Sequence, residues 1–174
     1  MEFPTDRVVL TTLDLQQPQE CDAVVIEQDT FLLLGVDPVL EETATDIRTL
    51  AYEIEQQEPL TPGSVLVSRG KPLQLTAIVY DIEHEPMCDV AWIDIALTHI
   101  LNEIQQRELN SVCMPMLGIE HGRISPKHFL KILDSTLQQQ TITSLTDLVI
   151  SGVDDIQLTA LLDYKRFTKT ATLH

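Results

Sequence analysis

Two hydrophobic periods alternate along this chain. Short runs in which apolar residues are continuous or every second read as strands. They are RVVLTTLDL (7–15), DAVVIEQ (22–28), SVLVSRG ending at Gly70, LQLTAIVYDI (73–82), NSVCMPML (110–117) and SLTDLVISGV (144–153). Longer stretches repeat apolar residues every three or four positions and read as helices. In 36–56, Val39, Leu40, Ile47, Leu50, Ala51 and Ile54 share a stripe, and Pro38 suits a first helical turn. In 90–109 the stripe is Trp92, Ile93, Ala96, Leu97, Ile100, Leu101 and Ile104, with Asp89 placed to cap it. Ser125 followed by Pro126 starts a third helix through Leu137, and Asp154 and Asp155 open a fourth over 156–167.

The resulting order, β-β-α-β-β-α-β-α-β-α, predicts one three-layer α/β/α domain over 1–174 with a mixed central sheet. TPG (61–63) reads as a turn and SRGKP (68–72) as a hairpin turn. In such sheets ligands sit beyond the strand ends, on the βα loops.

Composition narrows the function. The chain carries a net charge of −16, which repels phosphate backbones and anionic lipid, so neither nucleic acid nor a membrane surface is an expected partner. No apolar run approaches the roughly 20 residues of a membrane helix, and MEFPTDRVVL lacks the form of a signal peptide. Cys21, Cys88 and Cys113 are odd in number and scattered, which fits reduced thiols in a cytoplasmic protein. His84, Cys88, His121 and His128 do not have zinc-ligand spacing, and no metal or cofactor is expected. Cys113 lies inside an apolar strand, as a core cysteine does, and no nucleophile motif surrounds it, so no catalytic residue is assigned.

One stretch departs from both periods. CMPMLGIEHGRISP (113–126) places Gly118 and Gly122 between a strand and a capped helix. A tight turn explains its glycines, and so does a loop whose backbone N–H groups approach a phosphate. A surface pair between Glu120 and Arg123 belongs to the first reading; Arg123 as a phosphate-side cation belongs to the second.

This run resembles a segment of the macro domain, an ADP-ribose-binding α/β family, in which one variant reads P-L-L-G-T-G-x-G-G-L-S-P. Residues 115–126 match it without a gap. TPGSVLVSRGKPLQLTAIVYDIE, DAVV (22–25), GVD (35–37) and SLTDLVISGVDD resemble further family segments in the same order. LDL (13–15) lies near the place of the family's G-D-I-T turn. The resemblance implies a binding site for ADP-ribose or a related nucleotide. It implies ligand contacts at Asp14, Asp29, Gly35, Gly118, Ile119, Gly122 and Arg123.

The departures fall on that site. Ile26, Glu27, Gln28 and Asp29 stand where the family carries N-A-A-N, and Leu32, Leu33 and Leu34 stand where it carries glycines. Glu120 replaces a glycine beside the implied diphosphate, where like charge is costly. The expectation is therefore a nucleotide-binding module with a weakened or altered site. The alternative is a diverged domain that binds no nucleotide and serves protein interaction or self-assembly. An ADP-ribosyl hydrolase ranks last, because the positions that would orient water are Ile26 and Asp29.

Overall fold

The computed structural model describes residues 8–10, 21–34, 58–151, 154–160 and 162–163. Six strands form one sheet: β1 (Val8–Leu10), β2 (Ala23–Asp29), β3 (Val65–Ser68), β4 (Leu73–Tyr80), β5 (Ser111–Met114) and β6 (Asp147–Ile150). Their spatial order is β1-β6-β5-β2-β4-β3. Every neighbouring pair is parallel except β3–β4, the hairpin expected at SRGKP, so the sheet is mixed. Residues from Leu75 to Tyr80 are buried without a break, which means that β4 is covered on both faces there.

Two helices follow the apolar stripes. The first, α1 (Val90–Gln106), is capped by the Asp89 carboxylate, which accepts from the Ala91 N–H. It buries Ile93, Ala96, Leu97, Ile100, Leu101 and Ile104. The second, α2 (Pro126–Gln139), is capped by Ser125, whose hydroxyl accepts from the His128 N–H. The two pack on each other, and the Thr136 hydroxyl donates across to Asp94. A further helical segment covers 155–160. The expected helix over 36–56 lies outside the described residues, as does the strand 7–15 beyond Leu10.

The connections decide where a site forms. From β2 the chain reaches β4 on one side and, through α1, β5 on the other. The order thus diverges around β2, the place where parallel sheets leave a crevice beyond their carboxyl ends. Asp29, Tyr80, Met114 and Ile150 end β2, β4, β5 and β6 on this common edge. Asp22 organises the opposite edge. Its carboxylate accepts from the N–H groups of Asn110 and Ser111, tying the start of β5 to the start of β2. A cleft of about 730 Å³ lies at that amino edge, lined in part by Cys21, Lys71, Arg107 and Asn110.

The cysteines differ from expectation. Cys21 and Cys113 are joined by a disulfide with Cα atoms 6.1 Å apart, and Cys88 is free and buried. Scattered in sequence, the pair meets because β2 and β5 are register neighbours, with Val24 opposite Cys113. Spacing along the chain carries no trace of that pairing.

Candidate functional site

The carboxyl edge is built from three loops: 30–34 after β2, 81–89 after β4 and 115–125 after β5. In the first, the backbone folds around a side chain. The Asp29 carboxylate accepts from the N–H groups of Phe31 at 2.7 Å, Leu33 at 2.7 Å and Leu34 at 2.6 Å. The Leu32 N–H donates to the Asp29 carbonyl, and Leu32 takes φ 61° to let the chain curl. This is a concave nest of backbone donors of the kind that holds anions, and the anion in it is the chain's own. Asp29 is fully buried. Its Oδ1 accepts from Phe31 and its Oδ2 from Leu33 and Leu34, so both oxygens are engaged by the loop.

In the loop after β5, one backbone donor meets a carboxylate of β2. The Gly118 N–H donates to the Glu27 carboxylate at 3.0 Å. Burial, above all, holds the Glu27 carboxyl above the ordinary carboxylate range, and nearby Glu120 adds to this. The Gly118 N–H, Tyr80 and His121 oppose it. Tyr80, at the end of β4, is buried beneath the His121 ring, whose centroid lies 5.5 Å from its own in an edge-on contact. Its hydroxyl lies near Glu27 and is pushed well above the phenol range, by burial first and then by that carboxylate. Burial, with Glu27 and Asp89 adding, pushes the Cys88 thiol up to about 12. Among the described residues, the buried Thr30 hydroxyl and the Gln28 side-chain carbonyl at this edge have no hydrogen-bond partner, while the Tyr80 hydroxyl lies against Glu27 and the His121 backbone.

The two glycines of the β5 loop are held by the protein itself. A Cβ on Gly118 would lie 2.8 Å from Ile93 Cδ1, 2.9 Å from Ile124 Cγ1 and 3.1 Å from Cys88 Sγ, at φ 79°. A Cβ on Gly122 would lie 2.5 Å from Cys88 Cβ and 2.6 Å from the Gly118 carbonyl oxygen. The Ile124 N–H closes the turn on the Gly118 carbonyl at 3.1 Å. The tight-turn account of these glycines is therefore sufficient by itself. Arg123 is exposed at φ 57°, and among the described residues no ion pair joins it to Glu120.

Of the seven candidate residues, the structure gathers Asp29, Gly118, Ile119, Gly122 and Arg123 on this edge. Ile119 is half-buried and packs against the core. Asp14 and Gly35 lie outside the described residues. Sequence reasoning placed Glu27 only as a departure from a motif and passed over Tyr80 as part of a strand. Both sit near the carboxyl ends of strands whose inner apolar residues, Ala23, Val24 and Val25 in β2 and Leu75, Ala77, Ile78 and Val79 in β4, are core. A polar group at such a position is the signal that would have found them. Among the described residues no group of His, Cys, Asp and Glu could hold a metal ion.

No family model and no curated protein matches the sequence. Solved structures do match. The macrodomain of Oceanobacillus iheyensis with ADP aligns at a TM-score of 0.68 and 14% identity, over 98% of this chain and 97% of that one. This chain has the macrodomain fold. A point mutant of the same macrodomain with ADPR aligns at 0.64 and 15% identity, over 97% of this chain and 98% of that one. A Trypanosoma brucei macrodomain in complex with ADP aligns at 0.62 and 15%, over 89% of this chain and 67% of that one. The expected α/β class with a mixed sheet is thus the observed one. Within the macrodomain fold of this chain, three backbone donors of the loop 30–34 are turned onto Asp29, and the Gly118 N–H of the loop 115–125 onto Glu27.

Proposed function

We propose that this chain is a nucleotide-binding module of the macrodomain fold, for ADP-ribose or a related nucleotide, with its phosphate side weakened by its own carboxylates. The nucleotide class is suggested by similar structures that hold ADP or ADPR. The weakening rests on one observation above the others, the Gly118 N–H bound to the Glu27 carboxylate. A phosphate approaching this N–H meets an occupied donor and a like charge. Two unit charges about 5 Å apart repel by roughly 3 kcal/mol at an effective dielectric of about 20. That is on the order of 100-fold in affinity. Glu120 adds a further negative charge on the same loop, while the Arg123 guanidinium, being exposed, offsets it through solvent.

An amide-resolved titration of the protein with ADP-ribose tests this reading. Chemical-shift changes confined to 30–34 and 117–124, saturating at high ligand, are expected. A second reading is favoured by the completeness of the Asp29 nest, which satisfies its loop with no ligand at all. On that reading the fold serves a protein partner or self-association. An unchanged amide spectrum at millimolar ADP-ribose would favour it and remove the first.

A further inference from the structure

The amino edge of the sheet, opposite the candidate site, brings a cavity and a disulfide together. The cleft of about 730 Å³ there has the size of a small-molecule site, roughly 300–1,000 Å³. Three segments meet around it: the start of β2 at Cys21, the β3–β4 turn at Lys71, and the chain leaving α1 at Arg107 and Asn110. Hydrogen bonds fix these segments to one another. The Leu73 N–H donates to the Asp22 carbonyl at 2.9 Å, and the Asn110 N–H donates to the Asp22 carboxylate at 2.7 Å. Along the lining Lys71 and Arg107 balance Asp22 and Glu108. In a chain of net charge −16, this cleft is therefore a place where an anionic visitor meets no excess of like charge.

The disulfide is unevenly exposed. Cys21 lines the cleft and is half-buried. Cys113 lies within β5 between Val112 and Met114, is 7% exposed, and is not part of the lining. Thiol–disulfide exchange proceeds by attack of a thiolate on one sulfur while the other leaves, and access decides which sulfur is attacked. We propose that Cys21 is a thiol-exchange site opened by the amino-edge cleft, and that its ligand class is a small soluble thiol. The incoming thiol gives its proton to solvent, and its thiolate sulfur forms a bond to Cys21 Sγ. The Cys21–Cys113 bond breaks, its electron pair leaves on Cys113 Sγ, and that thiolate takes up a proton. The small thiol is then held in the cleft as a mixed disulfide, and Cys113 stays in β5 as a buried thiol. Return attack by Cys113 expels the small thiol and restores the original bond, so the modification is reversible. This site lies at the other end of the strands from the nucleotide-binding reading and stands without it.

Glutathione, a tripeptide thiol, is the probe. The full chain, purified and unfolded without reductant, is expected to titrate one thiol, and three after reduction. Three without reductant would overturn the proposal. Folded Cys113→Ser, incubated with oxidised glutathione at neutral pH, is expected to take up one glutathione at Cys21. Folded Cys21→Ser, which keeps the buried Cys113, is expected to react at least about tenfold more slowly. Wild type makes the same comparison where a variant does not fold. After a short exposure to mixed reduced and oxidised glutathione and an acid quench, peptide mass mapping is expected to find the adduct at Cys21 in about tenfold or greater excess over Cys113. Equal rates in the two variants, no uptake by folded Cys113→Ser, or a wild-type adduct mainly on Cys113 would overturn it.

Discussion

Gly118→Ala probes whether the β5 loop is shaped by its own packing. Two penalties apply, and they separate. The residue sits at φ 79°, where any Cβ is strained, at a cost of roughly 1–2 kcal/mol. The new Cβ also meets Ile93 Cδ1 at 2.8 Å and Ile124 Cγ1 at 2.9 Å, inside a filled core. Overpacking of this kind costs about 1–3 kcal/mol. The sum, about 2–5 kcal/mol, is a large part of a typical domain's stability. Urea denaturation of the single variant, of Ile93→Val and of the double variant forms a cycle. Ile93→Val removes the atom nearest the clash and should itself cost about 0.5–1.5 kcal/mol. In its background Gly118→Ala should cost about 1 kcal/mol less, while the φ penalty persists. A single-variant loss below about 0.5 kcal/mol would refute the packing account, because neither penalty could then be present. It would leave close approach of a ligand as the reason for this glycine.

Three further outcomes are expected. Glu27 has its folded-state carboxyl raised above the ordinary 4.5, so its contribution is fully present below that pH and is lost as pH rises through the folded value. Glu27→Gln should therefore stabilise the protein at pH 8 and not at pH 4, and equal denaturation midpoint shifts at both would contradict the burial of this charge. Asp29→Ala strands three backbone donors that now share a carboxylate, and charged hydrogen bonds contribute roughly 1.5–3 kcal/mol each. A loss of about 3 kcal/mol or more is expected, with faster amide exchange at Leu33 and Leu34; unchanged exchange there would rule out the nest. The Cys88 thiol, buried and pushed up to about 12, should resist a thiol reagent at pH 8 in the native protein and react on unfolding. Rapid native labelling of Cys88 would count against its placement against Gly118 and Gly122.

The elements of this fold can be read from local chemistry. The stripe from Trp92 to Ile104 and the Asp89 cap specify α1, and Ser125–Pro126 specify the start of α2. The strand LQLTAIVYDI was legible because its apolar run is continuous, the mark of a strand covered on both faces. The loop 115–125 was legible as a site because its glycines and prolines break the periodicity on either side. Boundaries ran long, by a few residues at 110–117 and 144–153, since alternation continues past the last ladder pair.

What the sequence by itself determined, then, is which segments are helices and strands, their order, and the loop that carries the candidate chemistry. Those properties depend on residues within a turn or two of one another. Tertiary structure alone decided what occupies that loop. Glu27 and Gly118 are 91 residues apart and meet because β2 and β5 lie side by side, as do Cys21 and Cys113 across 92. The Asp29 carboxylate accepts from three N–H groups of its own loop, because the chain after β2 curls back onto it. A carboxylate beside open backbone donors binds them at no loss of chain freedom beyond folding itself, and no pattern along the chain records that it will.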